Sequence, residues 1–439
     1  MSEYTKVKIS DFLTERQGRY KPDDKRIAAY KRLEKIDFSG TIHISEKPTK
    51  TDMILVYPGD LVISGINVAK GAVAVYQGKE PVCATIHYSS YIFDEKKVDL
   101  EYFKYFVKSP SFVSALQQQV KGGIKTEIKP KHLLPLEITI PYLETQRQIV
   151  KQVFENFKRV EKLNKEIESQ ETYTTQLRQD ILQEAIEGKL TTDWRKQNPV
   201  VKGNPDFDAQ ALFEKIQKEK KTDRKQKNLV PITEGEMPFE IPESWKWVRL
   251  GEICNSITDG DHQAPPKCKT GIPFLVISDV SSGKIDFKGN RFVSEIYFKN
   301  LPKERVPEKN SILYTVTGSY GIPIIVSDFR FCVQRHISII KLTMSEEMKK
   351  FVFYILQSLH CKKQADSVAW GVAVKTVPIN ALRNFSIPFP PLAEQKEIVA
   401  KVESLLSKVA GLEKQIQERK KLSGLLMQTV LKNTFAPQE

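Results

Sequence analysis

The chain repeats itself. Val7-Lys8-Ile9-Ser10-Asp11-Phe12 resembles Val248-Arg249-Leu250-Gly251-Glu252-Ile253, an offset of 241 residues. Cys83, His87 and Ser89 match Cys332, His336 and Ser338 at an offset of 249. The same offset aligns Pro141-Tyr-Leu143-Glu-Thr-Gln146-Arg-Gln-Ile149-Val150 with Pro390-Pro-Leu392-Ala-Glu-Gln395-Lys-Glu-Ile398-Val399. Lys125-Thr126 pairs with Lys375-Thr376 at 250, and Ile181-Leu182 faces Leu425-Leu426 at 244. An offset held this closely over such a length marks a tandem duplication, so the fold is two copies of one module.

Each copy divides into two parts. The first carries short apolar runs bounded by Gly, Pro and Asp: 53–56, 61–63 and 73–75 in copy one, then 274–277, 311–316, 324–326 and 337–342 in copy two. Such runs predict strands of a mixed sheet, with one helix over 100–120 and its counterpart over 346–365. The fold class is α+β.

The second part is helical. Ile398, Val402, Leu405, Val409, Leu412 and Ile416 alternate spacings of four and three, and after Arg419 and Ser423 the pattern resumes at Leu426 and Val430. That heptad demands a coiled coil. Copy one carries Ile149, Val153, Phe157 and Val160, then Leu163, Ile167, Thr174, Leu177 and Ile181 after a shift of frame, with Asn164 and Gln170 interrupting the seam. Pro141 and Pro390-Pro391 precede the two starts, and Gly188 supplies a stop. A long amphipathic helix cannot hide its stripe alone. Two with matched seams in one chain pack on each other, and the pseudo-twofold repeat favours the antiparallel arrangement over the parallel one.

Between the copies, residues 191–244 are polar and broken by Pro199, Pro205, Pro231, Pro238 and Pro242, with a short helix expected over 208–221. Lys215 to Lys227 holds seven basic residues and two acidic ones. A solvated linker and a phosphate-contacting strip both fit. The whole chain of 439 residues carries a net charge of +14, which points to a polyanionic partner; nucleic acid is the commonest, while a ribosome or an anionic membrane surface also fits. Five scattered cysteines form no CxxC pair, no apolar run is long enough to span a bilayer, and MSEYTKVKIS lacks the apolar core of a secretory signal. A cytoplasmic chain with no membrane partner is expected.

Sites for chemistry are sparse. There is no GxxxxGK[ST] phosphate loop, no GxG turn for S-adenosylmethionine, no Asn-Pro-Pro-aromatic stretch, no GxSxG elbow and no HExxH pair. Pro205-Asp206 followed by Glu219-Lys220-Lys221 imitates the carboxylate–carboxylate–lysine array of Mg²⁺ nucleases. It falls on a linker and a charged helix, however, whereas such arrays need core strands. No catalytic residue and no metal site is assigned. The repeated Cys-x-x-x-His (Cys83/His87, Cys332/His336) supplies too few ligands for zinc. It reads as a packing pair on one strand, or as a histidine reaching nucleic acid. Gly65-Ile-Asn67-Val-Ala-Lys70-Gly71 and Thr317-Gly318-Ser319-Tyr320-Gly321 occupy corresponding places after a strand. Both are turns where Asn67, Lys70, Thr317, Ser319 and Tyr320 would meet phosphates or base edges, or are plain hairpins. Lys121-Gly-Gly-Ile-Lys125-Thr126 and Trp370-Gly-Val-Ala-Val-Lys375-Thr376 end alike in Lys-Thr, as a phosphate clamp would. Arg291, Arg330 and Arg335 are candidates for bidentate guanine contacts.

Three phrases carry a family resemblance. Ile241-Pro-Glu-Ser-Trp245-Lys-Trp247-Val-Arg-Leu-Gly-Glu-Ile253 resembles the opening of a target-recognition domain. Ile387-Pro-Phe-Pro-Pro-Leu-Ala-Glu-Gln-Lys-Glu-Ile398 resembles the entry to a spacer helix, and Leu177-Arg-Gln-Asp-Ile-Leu-Gln-Glu-Ala-Ile-Glu-Gly-Lys-Leu190 resembles its end. The chain is similar to the DNA specificity subunits of type I restriction–modification systems. Copy one departs from the pattern, lacking Trp-x-Trp at its opening and reading Pro141-Tyr142 where copy two has Pro390-Pro391.

The resemblance implies two globular α/β target-recognition domains joined by two long helices in an antiparallel coiled coil. The segments would be domain one over 1–140, a central spacer helix over 141–190, a linker over 191–244, domain two over 245–389 and a C-terminal spacer helix over 390–436. It implies a non-catalytic chain that reads a bipartite asymmetric target in double-stranded DNA, one domain per half-site. Two modification (methyltransferase) and two restriction (translocase/nuclease) subunits would be its partners, carrying S-adenosylmethionine, ATP and Mg²⁺. A self-contained methyltransferase or nuclease, and a coiled-coil scaffold with no DNA role, are the rival readings.

Overall fold

A computed structural model describes residues 4–435 apart from 48, 120–126, 221–228, 263–264, 267, 290, 328 and 343–345. The chain forms two compact units: unit one takes 1–169 with 416–439, and unit two takes 170–415.

Unit one runs β1 (Tyr4–Lys8), β2 (Leu13–Glu15), β3 (Arg32–Ile36), β4 (Ile42–Ser45), β5 (Met53–Val56), β6 (Leu61–Ser64), β7 (Val73–Val75), β8 (Val82–Thr85), β9 (Tyr88–Phe93), α1 (Leu100–Phe106), α2 (Pro110–Gln119), α3 (Pro130–Leu133), β10 (Glu137–Pro141) and the start of α4 (Leu143–Ile186). Strand β1 pairs antiparallel with β10, so the strand that opens the domain lies beside the one that leaves it. An antiparallel sheet has the order β2-β9-β6-β7, and a mixed sheet the order β4-β3-β8-β5, with β3 and β8 parallel.

Unit two holds the end of α4, then α5 (Thr192–Gln197), α6 (Ala209–Glu219), β11 (Lys246–Arg249), α7 (Leu250–Ile253), β12 (Cys254–Asp259), β13 (Ile272–Leu275), β14 (Phe292–Val293), α8 (Glu295–Asn300), β15 (Ile312–Thr315), β16 (Pro323–Ile325), β17 (Cys332–Val333), β18 (Ile337–Leu342), α9 (Glu346–Gln357), α10 (Leu359–Val368), α11 (Ile379–Arg383), β19 (Ser386–Phe389) and the first part of α12 (Leu392–Thr434). The sheet plan repeats: β11-β19, then β12-β18-β15-β16, then β14-β13-β17 with β13 and β17 parallel. The duplication in sequence is thus largely a duplication of topology; among the described residues the third sheet of unit two has three strands, with no counterpart of β5.

Where one helix per copy is expected over 100–120 and 346–365, two stand in each. The break has the same cause both times. Ser109 and Ser358, 249 residues apart and fully buried, turn their hydroxyls to the amides of Phe112 and Cys361. A serine that caps a new first turn ends the old helix.

Both long helices follow a proline, and the repeated glutamine explains the entry. Gln146 Nε2 donates to Pro141 O, and Gln395 Nε2 to Pro390 O, each at 2.8 Å. Each amide ties the first helical turn to the strand that precedes it. Within unit one, Val153 and Phe157 share a core with Leu431 and Phe435, while Asn164 accepts from Ser423 Oγ at 2.6 Å. Within unit two, Ile181 and Ala185 share a core with Ile398 and Val402, while Arg178 pairs with Glu413 at 3.1 Å. In both units the helices therefore run antiparallel.

The seam is narrower than the expected heptad. Val153, Val160, Ile167, Thr174 and Ile181 are buried at strict intervals of seven, as are Val402, Val409, Ile416 and Ser423. The shift of frame expected after Val160 does not occur at these positions. The alternate set is looser: Ile149, Phe157 and Leu405 are half-buried, Leu177 and Leu426 are exposed, and Leu412 is 45% exposed and outside the seam. Thr174 satisfies its hydroxyl on its own helix, at Gln170 O and Glu171 O.

Two described parts of the linker, 209–219 and 230–236, pack on unit two. Helix α6 buries Ala209, Leu212 and Ile216 in the core of unit two. Farther on, the guanidinium of the buried Arg249 donates to Glu236 and to the carbonyls of Val230, Pro231 and Asn384, strapping that stretch to the domain. Among the described residues no helix is long and apolar enough to cross a membrane.

Candidate nucleic-acid interface

The turns after β6 and β15 are built alike. Gly65 N donates to His87 O at 2.9 Å, and Val316 N donates to His336 O at 3.0 Å. Ile128 N then donates to Gly65 O, and Val377 N to Val316 O. In each domain one backbone frame therefore joins the turn, the histidine and the segment at Ile128 or Val377. Side chains on that frame differ between the copies.

In unit one the frame opens on a groove of about 440 Å³ lined by Arg16, Arg19, His87, Ser89, Lys129 and Lys131, with Glu15 and Glu127 among its acids. Arg16 is held by the buried Asp60, which also accepts from Ser90 Oγ and Tyr57 N. His87 Nδ1 lies 2.8 Å from Glu127 Oε1. Arg19 and Lys131 are exposed. These four basic residues were not candidates in the sequence, because they are scattered over positions 16–131. Asn67 and Lys70 lie outside the groove, and Lys70 Nζ extends over the Phe38 ring at 5.6 Å. Lys121, Lys125 and Thr126 fall outside the described residues.

In unit two the two glycine loops meet. Gly318 N donates to Lys375 O at 2.9 Å, and Thr376 Oγ1 lies 3.3 Å from Thr317 Oγ1. Ser319 is exposed beside them. Tyr320 donates its phenol to Asp366 at 2.7 Å under the Lys362 ammonium; the bond to Asp366 raises the phenol's pKa and lowers that of the carboxyl. His336 receives Arg335 Nε at 3.3 Å; its pKa is lowered first by burial and then by that neighbouring cation, favouring a neutral ring.

The other arginines are engaged within the domain. Arg291 lies 3.4 Å from Asp279, and Arg330 grips Glu295 through both terminal nitrogens while its guanidinium stacks over Phe298. Either would have to release a carboxylate before gripping guanine. Arg335 is exposed.

Contrary to the reading from its spacing, the Cys-x-x-x-His pair does not share a strand. Cys83 lies within β8 and His87 in the turn before β9; Cys332 lies in β17 and His336 in the corresponding turn before β18. Both cysteines are buried, with burial raising the Cys83 thiol to about 11 and the Cys332 thiol to about 12. Among the described residues no group of His, Cys, Asp and Glu could hold a metal ion. The nuclease-like spacing also comes apart. Asp206 gives its carbonyl to the start of α12, whereas Glu219 closes α6.

Unit two has a polar centre that the sequence did not announce. Glu394 is fully buried at the entry to α12, where it accepts from Thr191 Oγ1 at 2.6 Å and Trp245 Nε1 at 2.7 Å, and pairs with Arg195. Gly188, at φ +72°, makes the room: a Cβ there would stand 2.8 Å from Pro242 and 2.9 Å from Arg195. The first tryptophan of Trp-x-Trp is thus an anchor to the helix entry.

Comparison with known proteins follows the same lines. Residues 242–420 match the family described as the type I restriction modification DNA specificity domain. The putative type I restriction enzyme MjaX specificity subunit of Methanocaldococcus jannaschii is 26% identical, over 84% of this chain and 77% of that protein. The EcoBI specificity subunit of Escherichia coli is 23% identical, over 87% and 73%. Among solved structures, a chain from work on complex assembly and conformational transition of the type I R-M system superposes with a TM-score of 0.63 at 18% identity, covering 98% of this chain and 97% of that one. The HsdS subunit of Thermoanaerobacter tengcongensis superposes at 0.54 and 18%, covering 99% and 97%.

Proposed function

We propose that this chain, a member of the specificity-subunit family of type I restriction–modification systems, reads a bipartite asymmetric DNA target with one domain per half-site. The observation that carries the reading is the duplicated backbone frame at Gly65/His87/Ile128 and Val316/His336/Val377. One architecture presenting two unlike sets of side chains is what two different half-sites require. The net charge of +14 supplies the sequence-independent attraction to phosphates. Base contacts from the turns then discriminate. Helices α4 and α12, about 65 Å long at 1.5 Å per residue, present the long outer faces on which two methyltransferase subunits dock. Two translocase/nuclease subunits join those.

The chemistry belongs to the partners, which bring S-adenosylmethionine, ATP and Mg²⁺. This chain positions those partners on the DNA and does not itself transfer the methyl group. Methyl incorporation into DNA should appear when the chain is mixed with its methyltransferase subunit and S-adenosylmethionine, and be absent for either protein alone. Incorporation by this chain alone would favour the self-contained enzyme, and DNA affinity indifferent to salt would favour the scaffold.

A further inference from the structure

The loop between Ala369 and Val377 turns its apolar side chains outward. Trp370 N donates to Thr376 O at 3.1 Å, and Thr376 N returns a bond to Trp370 O at 2.8 Å. Gly371, at φ +126°, lets the chain double back, because a Cβ there would lie 2.3 Å from Val374 O. The base is fixed by Gly318 N to Lys375 O and by Val377 N to Val316 O, and Val377 is buried. The tip is therefore held by backbone, and the side chains of Trp370, Val372 and Val374 are not needed to hold it. Trp370 is 69% exposed, Val374 is 55% exposed and Val372 is fully exposed. A solvated hairpin needs none of these large apolar groups, and a tip with this composition marks a contact surface.

The surroundings suit a polyanion. Residues 370–376 contain Lys375 and no acid, and the neighbouring Asp366 carboxylate is already engaged by Tyr320 and Lys362. The hydroxyls of Thr317 and Thr376 sit together at the base, with Ser319 exposed beside them. Apolar wedges flanked by basic and hydroxyl groups enter DNA grooves, partly unstack a base step and bend the duplex. We propose that the 370–376 hairpin is such a wedge, with Val372 leading and Trp370 and Val374 covering the opened step within the half-site read by unit two. The segment then acts through deformation more than as a phosphate clamp, and selects for steps that unstack easily, such as pyrimidine–purine. The inference rests on the DNA reading above.

The test uses the chain assembled with its methyltransferase subunits and a duplex carrying the motif found methylated in the host genome, with 2-aminopurine placed at successive positions of each half-site. Wild type should brighten the probe at one step. Val372→Ser and Trp370→Ala should abolish that rise and weaken binding about ten-fold or more, with the salt dependence unchanged. Lys375→Ala should keep the rise and lower the salt slope by about one. Variants that bind and brighten like wild type would overturn the wedge. So would variants that bind DNA normally but lose the methyltransferase subunits, since the tip would then face protein. A wild-type complex with no salt-dependent affinity for the duplex would refute the DNA reading itself, and the wedge with it.

Discussion

Removing the Glu394 carboxylate should damage unit two as much as truncating a buried aromatic of its core. It is fully buried and serves three donors: Thr191 Oγ1 at 2.6 Å, Trp245 Nε1 at 2.7 Å and the Arg195 guanidinium. In Glu394→Ala the Arg195 side chain, 19% exposed, keeps the Gly188 carbonyl and Thr191 but loses its counter-charge. Breaking one side of a buried ion pair costs about 3–5 kcal/mol, because the remaining charge stays desolvated. The indole N–H loses a bond to a charged acceptor as well. All four tryptophans of the chain, at 194, 245, 247 and 370, belong to unit two, so intrinsic fluorescence during urea unfolding reports that unit. With a slope of about 3 kcal/mol/M, the midpoint should fall by about 1–1.7 M. The double variant Arg195→Ala, Glu394→Ala should recover part of the loss, because no lone charge is left. A single variant whose midpoint stays within about 0.2 M of wild type would refute the reasoning, because so small a loss is incompatible with a desolvated carboxylate holding a cation.

Three other outcomes are expected. Hydrogen bonds from Arg249 are the main cause that holds the Glu236 carboxyl at about 2 against its ordinary 4.5. Its stabilising contribution is therefore complete above pH 4.5 and is lost as pH falls toward 2. The gap in urea midpoint between wild type and Glu236→Gln should close over that window, and a gap independent of pH would contradict the pairing. Burial raises the Cys83 thiol to about 11 and those of Cys254, Cys332 and Cys361 to about 12, while Cys268 is partly exposed. A thiol reagent at neutral pH should consume one equivalent quickly from the folded chain, and Cys268→Ser should remove that phase; a second fast equivalent would contradict the burial. Gln146→Ala should destabilise unit one by about 1–3 kcal/mol, since the buried side chain joins Pro141 O to Asp99 N. Hydrogen exchange at the Asp99 amide reads that loss directly, and unchanged protection would mean the amide has another partner.

What could be read from the sequence was set by periodicity. The helices declared themselves through their heptads, and the two copies through offsets that survive in the sheet order. Burial at every seventh residue, with Leu412 left exposed, is a finer matter. It depends on how closely two helices approach, and both candidate positions in each heptad are apolar in many turns. The docking of 209–219 and 230–236 is hidden for a different reason. The composition there is that of a linker, yet three apolar residues of α6 and the fork of Arg249 suffice to dock those two parts. Signals that could have shown more were present in the repeat: Ser109 and Ser358 share the 249-residue offset, and with Pro110 they mark the paired helix break. The basic groove of unit one left no such signal. Arg16, Arg19, Lys129 and Lys131 are brought together by the β2–β9 pairing and the Gly65–Ile128 bond, which no local pattern encodes.

Methylation mapping of the host genome, with and without this chain, addresses the central claim most directly. Two short defined sequences separated by a fixed unspecified gap, modified in the presence of the chain and unmodified in its absence, are the predicted result. A continuous motif, or a methylation pattern indifferent to the loss of the chain, would contradict the assignment of one half-site to each domain.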